Sequence, residues 1–224
     1  MPAPPLRLWL LAGGALLLLG WAALAHGDRA APPVAGAAPA PRYSAATLPA
    51  DAPLRFGPAV AAGDRQVVLT AIAQARPAAR RLVERVEGLV TVSVGSPGRG
   101  LAGLTSSTAD GYDVELDLGP VYRVNGLRGV RRLVLHELAH VVDHALVPPA
   151  LEAELDAATP AGFGCDDSGR SGACAARAER FAESFAKWAT GDIGVDIHLG
   201  YRVPPPTSLQ HWGDPLAALL TTNG

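Results

Sequence analysis

Residues 136–140 read His-Glu-Leu-Ala-His, and they hold the strongest chemical signal in the chain. On an α-helix, two histidines four apart are offset by only about 40° and can grip one metal ion from a single face. Glu137 stands about 100° round from His136, beside the metal rather than on it. There its carboxylate could take a proton from a metal-bound water, the arrangement of zinc-assisted hydrolysis. With 6 His in 224 residues, the pattern would arise by chance in roughly one such chain in 200, so the flanks matter. Leu133, Val134, Leu135, Leu138, Ala139, Val141 and Val142 surround the motif. A buried helix carrying two histidines and a carboxylate needs partners for them, because an unpaired polar group in a core costs several kcal/mol.

A catalytic zinc takes three protein ligands and keeps one position for water. His144 continues the row of histidines but sits about two turns from His136, a rise over which a straight helix cannot fold three side chains round one ion. It is expected at the helix end, partly exposed. Asp143, seven residues on from His136, returns to the same face; it either accepts a hydrogen bond from a ligand histidine or lies on the helix surface. A later segment, Ala178–Phe185, places Glu179 and Glu183 on one face and Phe181 and Phe185 on another. Two carboxylates one turn apart repel each other on a solvated face but not when they face a metal and its ligands, so this helix is the better source of the third ligand.

The run His136-Glu137-Leu138-Ala139-His140-Val141-Val142-Asp143, followed about forty residues later by Glu179-Arg180-Phe181-Ala182-Glu183-Ser184-Phe185, resembles the gluzincin metallopeptidases. Within them it is most similar to the anthrax lethal factor-like catalytic domain, whose second helix carries an E-x-F-A-E-x-F segment. The resemblance covers the two helices and their spacing. It implies a zincin-like peptidase domain with one Zn²⁺ per chain held by His136, His140 and Glu179. Glu137 would be the general base, Glu183 would steady a ligand histidine from behind, and Asp143 matches an aspartate the family tends to carry. The implied substrate is a peptide or protein. One feature departs from the family: lethal factor has an oxyanion-supporting tyrosine shortly before the ligand glutamate, and here that stretch has none. His198, Tyr201 and His211 in the tail are the substitutes on offer, without support from their spacing. The competing reading is a catalytically inactive, secreted zinc-binding or protein-interaction module of the same fold, although a purely structural zinc has no need of Glu137.

The elements that must position these residues read as follows. Asp64 can cap a helix through Gln66–Ala75, Pro77 restarts or kinks it, and Arg80–Glu87 follows at helical spacing up to Gly88. Leu89–Val94 is β-rich, Leu101–Thr105 is a weaker strand, and Tyr112–Leu118 alternates strictly, as an edge strand or one with an antiparallel partner does. A substrate peptide would lie against Tyr112–Leu118 or Leu89–Val94. Asn125-Gly126 signals a turn, so the motif helix is expected from Leu127 to about Val147, before Pro148-Pro149. Helices are expected over Ala150–Ala158, about Cys174–Thr190 and Asp214–Leu220. The pattern predicts an α+β domain, with a small sheet packed on the motif helix.

The N-terminal 25 residues carry one charge, Arg7, then an unbroken apolar run from Leu8 to Ala25 with an Ala23-Leu24-Ala25 cleavage site, the layout of a secretory signal peptide. The run is also just long enough for an uncleaved anchor, so the chain is expected to be secreted or held at a membrane through residues 8–25 alone, extracytoplasmic either way. Residues 26–58 hold seven prolines and read as a disordered Pro/Ala-rich linker, leaving 59–224 as one catalytic domain. The net charge of −2 and the scatter of the arginines exclude a nucleic-acid footprint. Cys165 and Cys174 bracket a glycine- and aspartate-rich loop and are expected to form a disulfide in an exported protein; a metal site is the alternative, but the spacing is not that of a zinc ribbon.

Overall fold

The computed structural model describes residues 53–98, 101–160, 176–194, 197 and 203–221. All lie in the second of the two units into which the chain divides, Pro39–Gly224. Cys165, Cys174, His198 and Tyr201, and the apolar run 8–25, lie outside the described residues. Among those described, no helix is long and apolar enough to cross a membrane.

Alternation of branched or aromatic residues with polar ones makes the strands. β2 (Val90–Val94) buries Val90 and Val92, and β4 (Gly111–Leu116) buries Tyr112, Val114 and Leu116. Thr91, Ser93, Asp113 and Glu115 take the opposite face, where with Leu104 and Ser106 they line an open groove. With β1 (Arg55–Phe56) and β3 (Gly103–Thr108) these strands form a four-stranded mixed sheet of order β1-β2-β4-β3. β1, β2 and β4 run parallel, and β3 pairs antiparallel with β4.

This order corrects two expectations. β4 has the antiparallel partner its alternation called for, but it lies inside the sheet, and so does β2. Neither can pair with a substrate; among the described residues the sheet ends at β1 on one side and β3 on the other. Secondly, β1 falls within 26–58, the stretch expected to be linker. Leu54 is buried there and Phe56 packs on the core, a short register of apolar residues that the surrounding prolines conceal.

Among the described residues, six α-helices complete an α+β fold. α1 (Ala62–Ala73) starts earlier than expected, with Asp64 in its first turn rather than at its cap, where a carboxylate still favours the positive helix end. α2 (Pro77–Val86) begins at the proline itself. α3 (Leu118–Leu146) carries the motif and begins nine residues before the expected Leu127. The Asn125-Gly126 signal is real but marks a break within it: Gly126 has φ 61° and ψ −161°, a conformation essentially restricted to glycine. α4 (Pro149–Ala157) and α5 (Arg177–Thr190) follow, the latter ended by left-handed Gly191. α6 (Leu209–Ala218) starts before the expected Asp214 because Ser208 caps it, its Oγ accepting from His211 N at 3.2 Å. α3 is the axis of the domain, meeting α1, α2 and α5 as well as β3 and β4. Leu133, Leu135 and Leu138 are fully buried on it, each worth about 1.5–3 kcal/mol.

Candidate metal site

Helical spacing on α3 and α5 brings the ionisable residues together. His136 and His140, one turn apart, present rings 5.0 Å apart at 81° to one another. From α5, the Glu179 carboxylate reaches between them: Oε2 lies 3.2 Å from His136 Nε2 and Oε1 lies 3.6 Å from His140 Nε2. One donor atom from each residue falls within 4.8 Å of the others, and the three could hold a metal ion. Burial and the neighbouring His136 push His140 down to about 3, so its imidazole is neutral, the form a metal requires. Burial alone would raise Glu179, but the hydrogen bond and electrostatic attraction of His136 outweigh it and hold Glu179 below the usual carboxylate range.

Glu137, close enough to His136 and Glu179 to feel their charges, meets the sheet. Its Oε2 accepts from Thr105 Oγ1 at 2.8 Å, and the same hydroxyl lies 3.1 Å from the Glu137 carbonyl oxygen. Thr105 and Gly103 occupy the inner face of β3, opposite Val114 and Leu116. At Gly103 a Cβ would come within 2.3 Å of Glu137 Oε1, so any side chain at 103 would displace the carboxylate. Burial raises the pKa of Glu137, against the lowering influences of His136 and Thr105.

Glu183, one turn after Glu179, is buried behind His136, with Oε2 3.4 Å from His136 Nδ1. The contact is close without being an aligned hydrogen bond. Its Oε1 is held by both Arg132 and Lys187. Burial and the charge of Arg132 push Lys187 down to about 7. Asp143, expected either to accept from a ligand histidine or to lie on the helix surface, is buried and paired with Arg177. Arg177 donates to both of its oxygens, at 3.1 and 2.6 Å, and also lies 3.0 Å from Glu152. Because Arg177 opens α5 two residues before Glu179, this fork ties the first turn of α5 to the motif helix. His144 stays out of the cluster, half-buried and stacked on Tyr112 with centroids 6.4 Å apart. His211 is exposed on α6.

Sequence reasoning passed over Thr105, Gly103, Arg132, Lys187 and Arg177. Two of these had a signal: Arg132 stands four residues before His136 and Lys187 four after Glu183, each on the face of a residue already singled out. Nothing in the chain pointed to the β3 residues. Compared with protein-family models, curated proteins and solved structures, the chain matches none.

Proposed function

We propose that this chain is an exported zinc-dependent endopeptidase of the gluzincin kind, with His136, His140 and Glu179 as metal ligands and Glu137 as general base. The observation that carries the reading is the meeting of three donors from two helices beside a fourth, separately oriented carboxylate. Ligands about 2.1 Å from a tetrahedral zinc stand about 3.4 Å apart; here one donor atom from each of the three lies within 4.8 Å of the others, with different Glu179 oxygens 3.2 and 3.6 Å from the two histidine Nε2 atoms. The donor set is also the His₂Glu set of catalytic rather than structural zinc. When bound, zinc supplies the Lewis acidity that makes a water nucleophilic near neutral pH and polarises the scissile carbonyl.

The chain's own residues do the rest. Glu137 accepts the proton of the attacking water and returns it to the leaving amine; a raised pKa brings it nearer the operating pH, as general-base work requires. Thr105 fixes one oxygen of Glu137, and glycine at 103 leaves room for the other. The free edge of β3 runs past this carboxylate, and an extended peptide paired with Gly103–Thr108 would pass its backbone across the site. Glu183 steadies His136 from behind, and Asp143 steadies the start of α5 through Arg177.

A second reading, an inactive zinc-binding module, is favoured by one observation: residues 160–178, the stretch before Glu179, contain no tyrosine to support an oxyanion. Peptide-library cleavage by the full chain separates the two, with Glu137→Gln and a chelator as controls. Cleavage abolished by both controls is expected; a folded, zinc-loaded protein that cleaves nothing would favour the module.

A further inference from the structure

Arg132 and Lys187 are both 0% exposed, and taking a cation out of water costs several kcal/mol. Both converge on a single atom, Oε1 of Glu183. Arg132 reaches it from α3, one turn before His136, while Lys187 reaches it from α5, one turn after Glu183. Arg132 is anchored further by donating from Nη1 to the Gly194 carbonyl at 2.8 Å. Asp192, close enough to act on Lys187, is forked by Arg128 at 2.5 and 2.7 Å. This cluster is not needed for stability, which an apolar core of the same volume would serve as well. What it supplies is orientation. The terminal torsion of a glutamate is broad; gripped from two sides at Oε1, Glu183 must keep Oε2 towards Nδ1 of His136, 3.4 Å away.

We propose that Arg132 and Lys187 are positioning residues: they pin Glu183 so that its free oxygen holds His136 in the tautomer with hydrogen on Nδ1, leaving Nε2 as the donor that faces Glu179. This rests on the reading of His136, His140 and Glu179 as metal ligands. Glu183→Gln is the sharpest variant because it keeps the volume. The two cations select the amide oxygen, which turns the amide nitrogen, a donor, towards Nδ1 and favours the tautomer with hydrogen on Nε2, which cannot ligate.

The full chain and its Glu183→Gln, Lys187→Met and Arg132→Met variants would be titrated with zinc alone against a chromophoric chelator. Circular dichroism would report folding, and ¹⁵N spectra of the histidine rings would report the tautomer. Zinc affinity is expected to fall about 10–100-fold in each folded variant, with the His136 ring nitrogens shifted. Lys187→Met combined with Glu183→Gln is expected to lose little more than Glu183→Gln alone, because the residues act in series. Unchanged affinity and tautomer in Glu183→Gln would overturn the inference, whether or not the two cation variants fold. A wild-type chain that takes up no zinc would instead overturn the reading on which it rests.

Discussion

The two halves of α3 differ in what they hide. Up to and just past Gly126, the helix turns apolar side chains to water: Tyr122, Val124 and Leu127 are 55, 81 and 65% exposed. From Gly129 to Asp143 every residue but Arg131 is buried, including Arg132, His136, Glu137, His140 and Asp143. Exposed apolar residues are ordinary on protein surfaces, whereas buried ionisable ones are not. Each of the five has a partner outside the helix, either on α5 (Glu179, Glu183 and Arg177) or on β3 (Thr105). The half that carries the candidate site is therefore distinguished by the polar groups it buries and by where their partners come from.

That contrast can be broken from either side. The largest effect is expected in the buried half: Glu137→Gln should lower peptide turnover about 10²–10⁴-fold while metal content, read by mass spectrometry, stays at wild type. Next comes pH. The fold holds His140 neutral, with its pKa moved from 6.5 to about 3. The unfolded chain therefore binds its proton first, and the stability present above pH 6.5 is lost as pH falls towards 3. Chemical denaturation of the zinc-free protein across that range should show a loss on the order of a few kcal/mol. At the hinge between the halves, Gly126→Ala should cost about 1–3 kcal/mol in thermal stability and leave zinc affinity unchanged. A large drop in affinity there would mean the halves are coupled. The smallest effect belongs to the exposed half, where Val124→Ser should move stability by less than about 0.5 kcal/mol.

The same contrast explains how much could be read in advance. His136, Glu137 and His140 are legible because helical spacing puts chemically matched residues on neighbouring faces of one element. Glu179 and Glu183 are legible for the same reason, once their shared face is noticed. Periodicity within an element does not say which element docks against it. Asp143 could be placed on the motif face, but its partner Arg177 lies 34 residues away, on a helix whose angle to α3 only tertiary packing sets. The alternation of Tyr112–Leu118 marks a strand, Gly111–Leu116, and leaves open an edge or an antiparallel partner; strand order depends on where the chain crosses over, which gives it the partner and puts β3 at the edge of the described sheet. Thr105 and Gly103 are typical of weak strands and gain their meaning from the carboxylate that β3 happens to meet.

The most direct test of the metal site is a zinc titration of the wild-type chain beside Glu179→Ala, followed by competition with a chelator. One zinc per wild-type chain is predicted, with affinity at least about tenfold weaker in the variant and an unchanged circular dichroism spectrum. Equal zinc affinity in the two proteins, or no zinc bound by the folded wild type, would contradict the assignment of His136, His140 and Glu179 as a metal centre.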